Sequence, residues 1–192
     1  MRENNVNVQV YSSCNCSCNF CGFTDKCHNK IDPEFVINYI NEHPNINLIL
    51  LTGGEPTFAI NECAKIIQGL DVSEKKVVLQ TNGWWGNNDD IKQVIKDNPP
   101  TCVHLSVDSE KQKVVKVETA IKAYEFLIEN NIQVFVVNHH EETNEAEFEY
   151  YKTLFPNIKY GRIVKDNGQE TDCGVALLAT NTVGRLDIKG WR

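Results

Sequence analysis

Three cysteines, Cys14, Cys18 and Cys21, follow one another at C-x3-C-x2-C spacing on a loop after an apolar strand, with Phe20 directly before the last. Soft thiolate donors at such short intervals suit an iron–sulfur cluster or zinc. Four cysteines saturate a four-iron cube, so a loop that supplies three leaves one iron open to a small molecule. An open metal position is what separates a chemical site from a structural one. Cys16 lies inside the first spacing and makes Cys16, Cys18 and Cys21 a rival triplet, but its one-residue gap strains two ligands onto one cube. Zinc remains the alternative, because Cys14, Cys16, Cys18, Cys21, Cys27 and His28 are crowded enough to complete a tetrahedral site. No second C-x2-C pair follows at finger-like spacing.

Eight cysteines also raise the question of a disulfide framework. The opening residues, Met-Arg-Glu-Asn-Asn-Val, carry no apolar stretch of a secretory signal, so a cytoplasmic protein without disulfides is expected. At 192 residues and 41% hydrophobic content the chain can bury a full core, and no apolar run approaches the length of a membrane span. The net charge of -7 argues against broad nucleic-acid binding; Lys75, Lys76, Lys111 and Lys113 read as solvated helix or turn faces. With no repeat or linker-like stretch, residues 1–165 are expected to form one core domain and 166–192 an extension packed on it.

The elements that must position the cysteines alternate in type. Val6, Val8 and Val10 share one face of a strand ending at Tyr11, and Asp32-Pro33-Glu34 reads as the cap and first turn of a helix to about His43. Strands follow at Asn47–Thr52, Lys76–Thr81, Cys102–Val107, Ile132–Val137 and Ile158–Val164. Helices are expected between them, at Asn61–Leu70, Asp89–Asp97, Val114–Asn130 and Asn144–Leu154. Six strands joined by helical crossovers require a parallel α/β sheet. In such sheets the working groups gather at the carboxyl ends of the strands. The cysteine loop, Thr52-Gly53-Gly54-Glu55-Pro56, Gln80-Thr81-Asn82-Gly83, Ser106-Val107-Asp108 and Asn138-His139-His140 all fall at those ends, and Arg162 lies within strand six. Gln9, Tyr11, Gln80, Asn82, His104, Ser106 and Asp108 are expected to make a polar interior.

Taken together, the chain resembles a radical S-adenosylmethionine (radical SAM) enzyme. Cys14, Cys18 and Cys21 match the family's C-x3-C-x-aromatic-C signature, with Phe20 in the aromatic place and Cys16 outside the pattern; Gly53-Gly54-Glu55-Pro56 matches its GGEP motif. The resemblance covers roughly residues 5–165 and implies a partial (β/α)6 barrel of parallel strands, open at one side. It implies a [4Fe–4S] cluster on the three cysteines, with SAM chelating the fourth iron through its amino and carboxylate groups. One electron would cleave SAM to a 5′-deoxyadenosyl radical that abstracts hydrogen from substrate, with a flavodoxin or ferredoxin as donor and sensitivity to oxygen.

By the same resemblance, Phe20 would pack against adenine, Gly53 and Gly54 would let backbone approach the ligand, and Glu55 would accept from the SAM ammonium. Ser106 and Asp108 would meet the ribose hydroxyls, Asn82 would join that polar shell, and Arg162 would pair with the carboxylate. Each has an ordinary alternative: Asp108 as a helix cap, Asn82-Gly83 as a turn, Arg162 as a surface charge. Cys63 and Cys102 read as small buried hydrophobes. Trp84 and Trp85 are either a rim platform or core cover, and His139 and His140 either contact substrate or cap and face solvent.

The polar interior suits a peptide, sugar or nucleotide substrate. Residues Cys173 to Ile188 read as a β-hairpin closing the open side of the barrel, similar to the start of extensions on peptide-modifying family members, which tips the choice towards a peptide. A glycyl-radical-enzyme activase, a nucleoside or deazapurine biosynthesis enzyme, and a non-catalytic iron–sulfur or zinc module are the rivals.

Overall fold

Alternating β-branched residues on one strand face and continuous apolar runs on the next are what a parallel sheet with one helix-covered face demands. The computed structural model describes residues 4–19, 21, 28–71, 73–140, 145–162 and 185–188. Its strands are β1 (Asn4–Tyr11), β2 (Ile46–Gly53), β3 (Lys76–Thr81), β4 (Cys102–Ser106), β5 (Val134–His140), β6 (Lys159–Arg162) and β7 (Arg185–Ile188). Its helices are α1 (Pro33–Glu42), α2 (Ile60–Gly69), α3 (Asp89–Asp97), α4 (Ser109–Gln112), α5 (Val117–Glu129) and α6 (Glu145–Leu154). The strands form one open sheet in the order β6-β5-β4-β3-β2-β1-β7. Every neighbouring pair is parallel. This is the expected partial barrel, with the six core strands in sequence order.

One sheet face carries the core. Val6, Val8 and Val10 join Ile49, Leu51, Val77, Leu79, Val103 and Leu105, all at most 1% exposed, against Val36, Ile40, Ile66, Ile95, Ala120 and Leu127 of the helices. The other face holds Gln9 opposite Thr52 and Gln80 opposite His104, above a small apolar group of Leu48, Leu50, Val78 and Cys102. Among the described residues no helix is long and apolar enough to cross a membrane.

Three departures from expectation have local causes. A register shift between Gln9 and Tyr11 takes Tyr11 off the polar face, and it packs against the helix-side core instead. Strand β5 begins two residues late because α5 ends in a Schellman motif: Asn131 sits at φ 56°, Asn131 N–H bonds Ile128 O at 3.0 Å, and Ile132 N–H bonds Leu127 O at 2.9 Å. Asn138, His139 and His140 are the last three residues of β5, at its carboxyl end as expected. Asp108 caps an additional short turn, α4, ahead of the helix expected from Val114, which itself begins three residues later as α5.

At the C-terminal end, β7 pairs in parallel with β1, Asn5 opposite Arg185 and Val8 opposite Ile188. It extends the sheet at the edge away from β6. The first arm of the expected hairpin, with Cys173, lies outside the described residues.

Candidate functional site

The cysteine loop is fastened at both ends before any metal is considered. Ile31 N–H donates to Val10 O at 3.0 Å, Ser12 N–H to Asn29 O at 3.0 Å, and Asn29 N–H to Ser12 Oγ at 2.9 Å. Its first half is also sewn to the end of β2: Gly54 N–H donates to Tyr11 O at 2.8 Å and Glu55 N–H to Ser13 O at 2.9 Å. That approach is why the two glycines are required. Gly53 stands at φ +137°, and a Cβ on Gly54 would lie 2.2 Å from Ser13 O and 2.9 Å from Cys14 N. The glycine pair admits the cysteine loop's own backbone, a different close approach from the ligand contact expected of it. Gly54→Ala should therefore displace the loop, costing about 1–3 kcal/mol of stability by overpacking. It should also lower the iron retained after reconstitution, both read by thermal melts and iron analysis.

Above this seam lies an open cleft. Cys14, Cys16, Cys18 and Cys21 line one side, with Gly53, Gly54 and Glu55 beside them; Thr52, Gln80, Thr81, Asn82, Ser106 and Lys111 complete the wall. Cys14, Cys18 and Cys21 are half-buried, whereas Cys16 is 5% exposed. Cys16 N–H donates to Cys14 Sγ at 3.3 Å, and Asn82 Nδ2 reaches Cys16 Sγ at 3.5 Å and Asn15 Oδ1 at 2.8 Å. Hydrogen bonding with Cys16 holds Cys14 and Cys18 below the ordinary thiol range, and the same contacts push Cys16 up.

Glu55 is 1% exposed and ties the ends of β2 and β3 together. Its Oε1 accepts from Thr57 N–H at 3.2 Å, Thr57 Oγ1 at 2.5 Å and Thr81 Oγ1 at 2.7 Å; its Oε2 accepts from Asn82 N–H at 2.8 Å. Burial raises its pKa, while these four donors favour the ionised form and oppose that rise.

Asp108, placed from sequence on the ribose, is 1% exposed and is a helix cap instead. Its Oδ1 accepts from Lys111 N–H at 3.0 Å and its Oδ2 pairs with Lys111 Nζ at 2.5 Å. It does not line the cleft; Lys111, which sequence reasoning passes over as a solvated charge, takes a place there. The readable signal was the cap itself, since a capping carboxylate faces the residue three positions on. Thr52 and Thr81 were also missed, as unremarkable strand-end residues. Ser106 and Asn82 do reach the cleft. Arg162 is the last residue of edge strand β6, and Phe20 and Cys27 lie outside the described residues. Cys63 and Cys102 are buried at 0% and 5%, and burial pushes both thiols up. Trp85 is wholly buried in the core, and Trp84 stacks on Phe58 with ring centroids 4.5 Å apart.

Next to the cleft wall, His104 sits opposite Gln80 with its ring edge against Phe135, 5.9 Å between centroids. Burial lowers its pKa from 6.5 to about 4. The unfolded chain binds a proton first, so stability present above pH 6.5 is lost as pH falls towards 4, by on the order of 3 kcal/mol. Urea titrations at pH 7 and 4.5 should show that loss in the wild type and a smaller one in His104→Gln.

The donor set fits an iron–sulfur cluster. Three half-buried cysteines share one wall, two of them held towards the thiolate that ligation requires.

A model of the Radical SAM superfamily matches residues 8–152. Over 91 residues the chain is 26% identical to YydG of Bacillus subtilis strain 168, whose name refers to peptide biosynthesis, a match covering 45% of this chain and 28% of YydG. Streptococcus suis SuiB bound to S-adenosylmethionine aligns with a TM-score of 0.70 at 12% identity, over 88% of this chain and 43% of SuiB. The protein anSMEcpe, solved with AdoMet and a Cp18Cys peptide, aligns with a TM-score of 0.63 at 15% identity, over 88% and 55% of the two chains. At such identities the structural likeness establishes the fold. The matched stretch is under a third of YydG, and the chain spans under half of SuiB.

Proposed function

The chain belongs to the radical SAM superfamily, whose cofactors are a [4Fe–4S] cluster and SAM, and from that premise we propose that it cleaves SAM reductively to act on a peptide. The observation that carries this reading is the meeting of Cys14, Cys18 and Cys21 with Glu55 on one cleft at the carboxyl edge of the sheet. When bound, the cluster and SAM supply the electron transfer and the 5′-deoxyadenosyl radical that removes hydrogen from substrate.

The chain's own residues bind, orient and shield. Cys14, Cys18 and Cys21 would hold the cluster through three of its irons, and the amino and carboxylate groups of SAM would bind at the one left open. Glu55 Oε2, which accepts from Asn82 N–H, would also accept from the SAM ammonium, and Ser106, 3% exposed at the end of β4, would meet the ribose hydroxyls. Asn82 Nδ2 bonds Asn15 Oδ1 and so keeps the cysteine loop against β3. Lys111 Nζ places a positive charge on the cleft wall beside Cys18, held there by Asp108. Phe20 against adenine and Arg162 against the carboxylate complete the proposed set.

A peptide substrate is supported by the name of YydG and by solved structures of SuiB with its precursor peptide SuiA and of anSMEcpe with peptides. A flavodoxin or ferredoxin supplies the electron, and a reducing, cytoplasmic setting keeps the open iron from oxidation. The test is release of 5′-deoxyadenosine from SAM by anaerobically reconstituted protein under dithionite. Iron-loaded protein that releases none sinks the proposal.

A further inference from the structure

Both tryptophans beside the cleft direct their indole N–H groups at threonines, and both threonines face the same oxygen of Glu55. Trp84 Nε1 donates to Thr57 Oγ1 at 2.8 Å, and Thr57 Oγ1 lies 2.5 Å from Glu55 Oε1. Trp85 Nε1 donates to Thr81 Oγ1 at 3.1 Å, that hydroxyl also accepts from Gly83 N–H at 3.2 Å, and it lies 2.7 Å from Glu55 Oε1. An indole nitrogen can only donate, whereas a hydroxyl has one proton and two acceptor sites. The indoles occupy acceptor sites, so the one proton of each threonine is directed to Oε1. With Thr57 N–H, Oε1 receives three donors, while among the described residues Oε2 receives one, Asn82 N–H. The oxygen with an acceptor site to spare is Oε2.

We propose that Trp84 is a positioning residue for the amino-acid end of SAM. Acting through Thr57, it fixes which oxygen of Glu55 is presented to the ligand ammonium; this rests on the role given to Glu55 above. Its ring is held for the task by stacking on Phe58 at 22° between planes, so the N–H direction does not depend on a bound ligand. Trp85, with no exposed surface, makes the matching connection from the core side through Thr81.

Two substitutions remove the link with little change of shape. Trp84→Phe keeps a ring on Phe58 and deletes the donor; Thr57→Val deletes the hydroxyl and keeps the backbone N–H bond. Wild type, both single variants and the double variant, reconstituted to equal iron content, are titrated with SAM and with 5′-methylthioadenosine, which lacks the amino-acid end. Trp84→Phe is expected to weaken SAM roughly five- to tenfold, the size of a weakened charge-assisted hydrogen bond, and to leave 5′-methylthioadenosine unchanged. The double variant is expected to lose no more than Thr57→Val alone. Unchanged SAM affinity in Trp84→Phe, equal losses for both ligands, or additive losses in the double variant overturns this proposal alone. A wild-type protein that holds its cluster and binds no SAM overturns it together with the assigned role of Glu55.

Discussion

Alanine at Cys14, Cys18 or Cys21 should leave a protein that retains no four-iron cluster after anaerobic reconstitution, while Cys16→Ala retains it. Three thiolates are the minimum that holds such a cube with an iron open, and each ligand lost exposes a second iron. The four cysteines share one wall, so the distinction lies in how they are held. Cys16 is 5% exposed and engaged by Asn82 Nδ2 at 3.5 Å, and its N–H serves Cys14 Sγ at 3.3 Å. That is the place of a hydrogen-bonding neighbour, whose loss is expected to change cluster properties rather than retention. Iron and sulfide analysis of the four variants decides it. Loss of iron in Cys16→Ala with retention in Cys14→Ala would transfer the ligand set to Cys16, Cys18 and Cys21.

Glu55→Gln should destabilise the fold by about 3 kcal/mol, because removing one member of a buried charged network strands the others. Oε1 faces three donors and Oε2 faces one, so a glutamine amide placed either way sets its NH₂ against a donor. At this chain length the loss corresponds to a fall in melting temperature of roughly 6–12 °C. SAM affinity should fall too, with the ammonium partner gone. A melting temperature within about 2 °C of wild type would show that Glu55 does not hold β2 to β3.

What the sequence displayed well was anything set by period or by spacing. Alternation in Val6, Val8 and Val10 and the apolar run of β2 fix strand type and burial, and helical stretches between them fix a parallel sheet. The cysteine spacing and Gly53-Gly54-Glu55-Pro56 marked the cleft for the same reason. Less legible was what each polar group bonds to, because a carboxylate at a strand end reads alike as ligand or cap. Asp108 took the cap and Lys111 the wall. Tyr11 changed sides through a register shift that no alternation reveals. For the tryptophans the sequence left platform and core cover open, because their apolar bulk is visible there and their N–H partners, Thr57 and Thr81, are not; Trp85 is core. The two glycines were read as making room for a ligand, yet the tightest approach is the chain's own loop.

The central claim, that a three-cysteine cluster binds SAM at its open iron, is tested most directly by electron paramagnetic resonance. Reconstituted, dithionite-reduced protein is measured frozen, before and after SAM is added. A reduced [4Fe–4S] signal whose g-values move on addition of SAM is expected, and a signal unchanged by saturating SAM, or no cluster signal from iron-loaded protein, would contradict it.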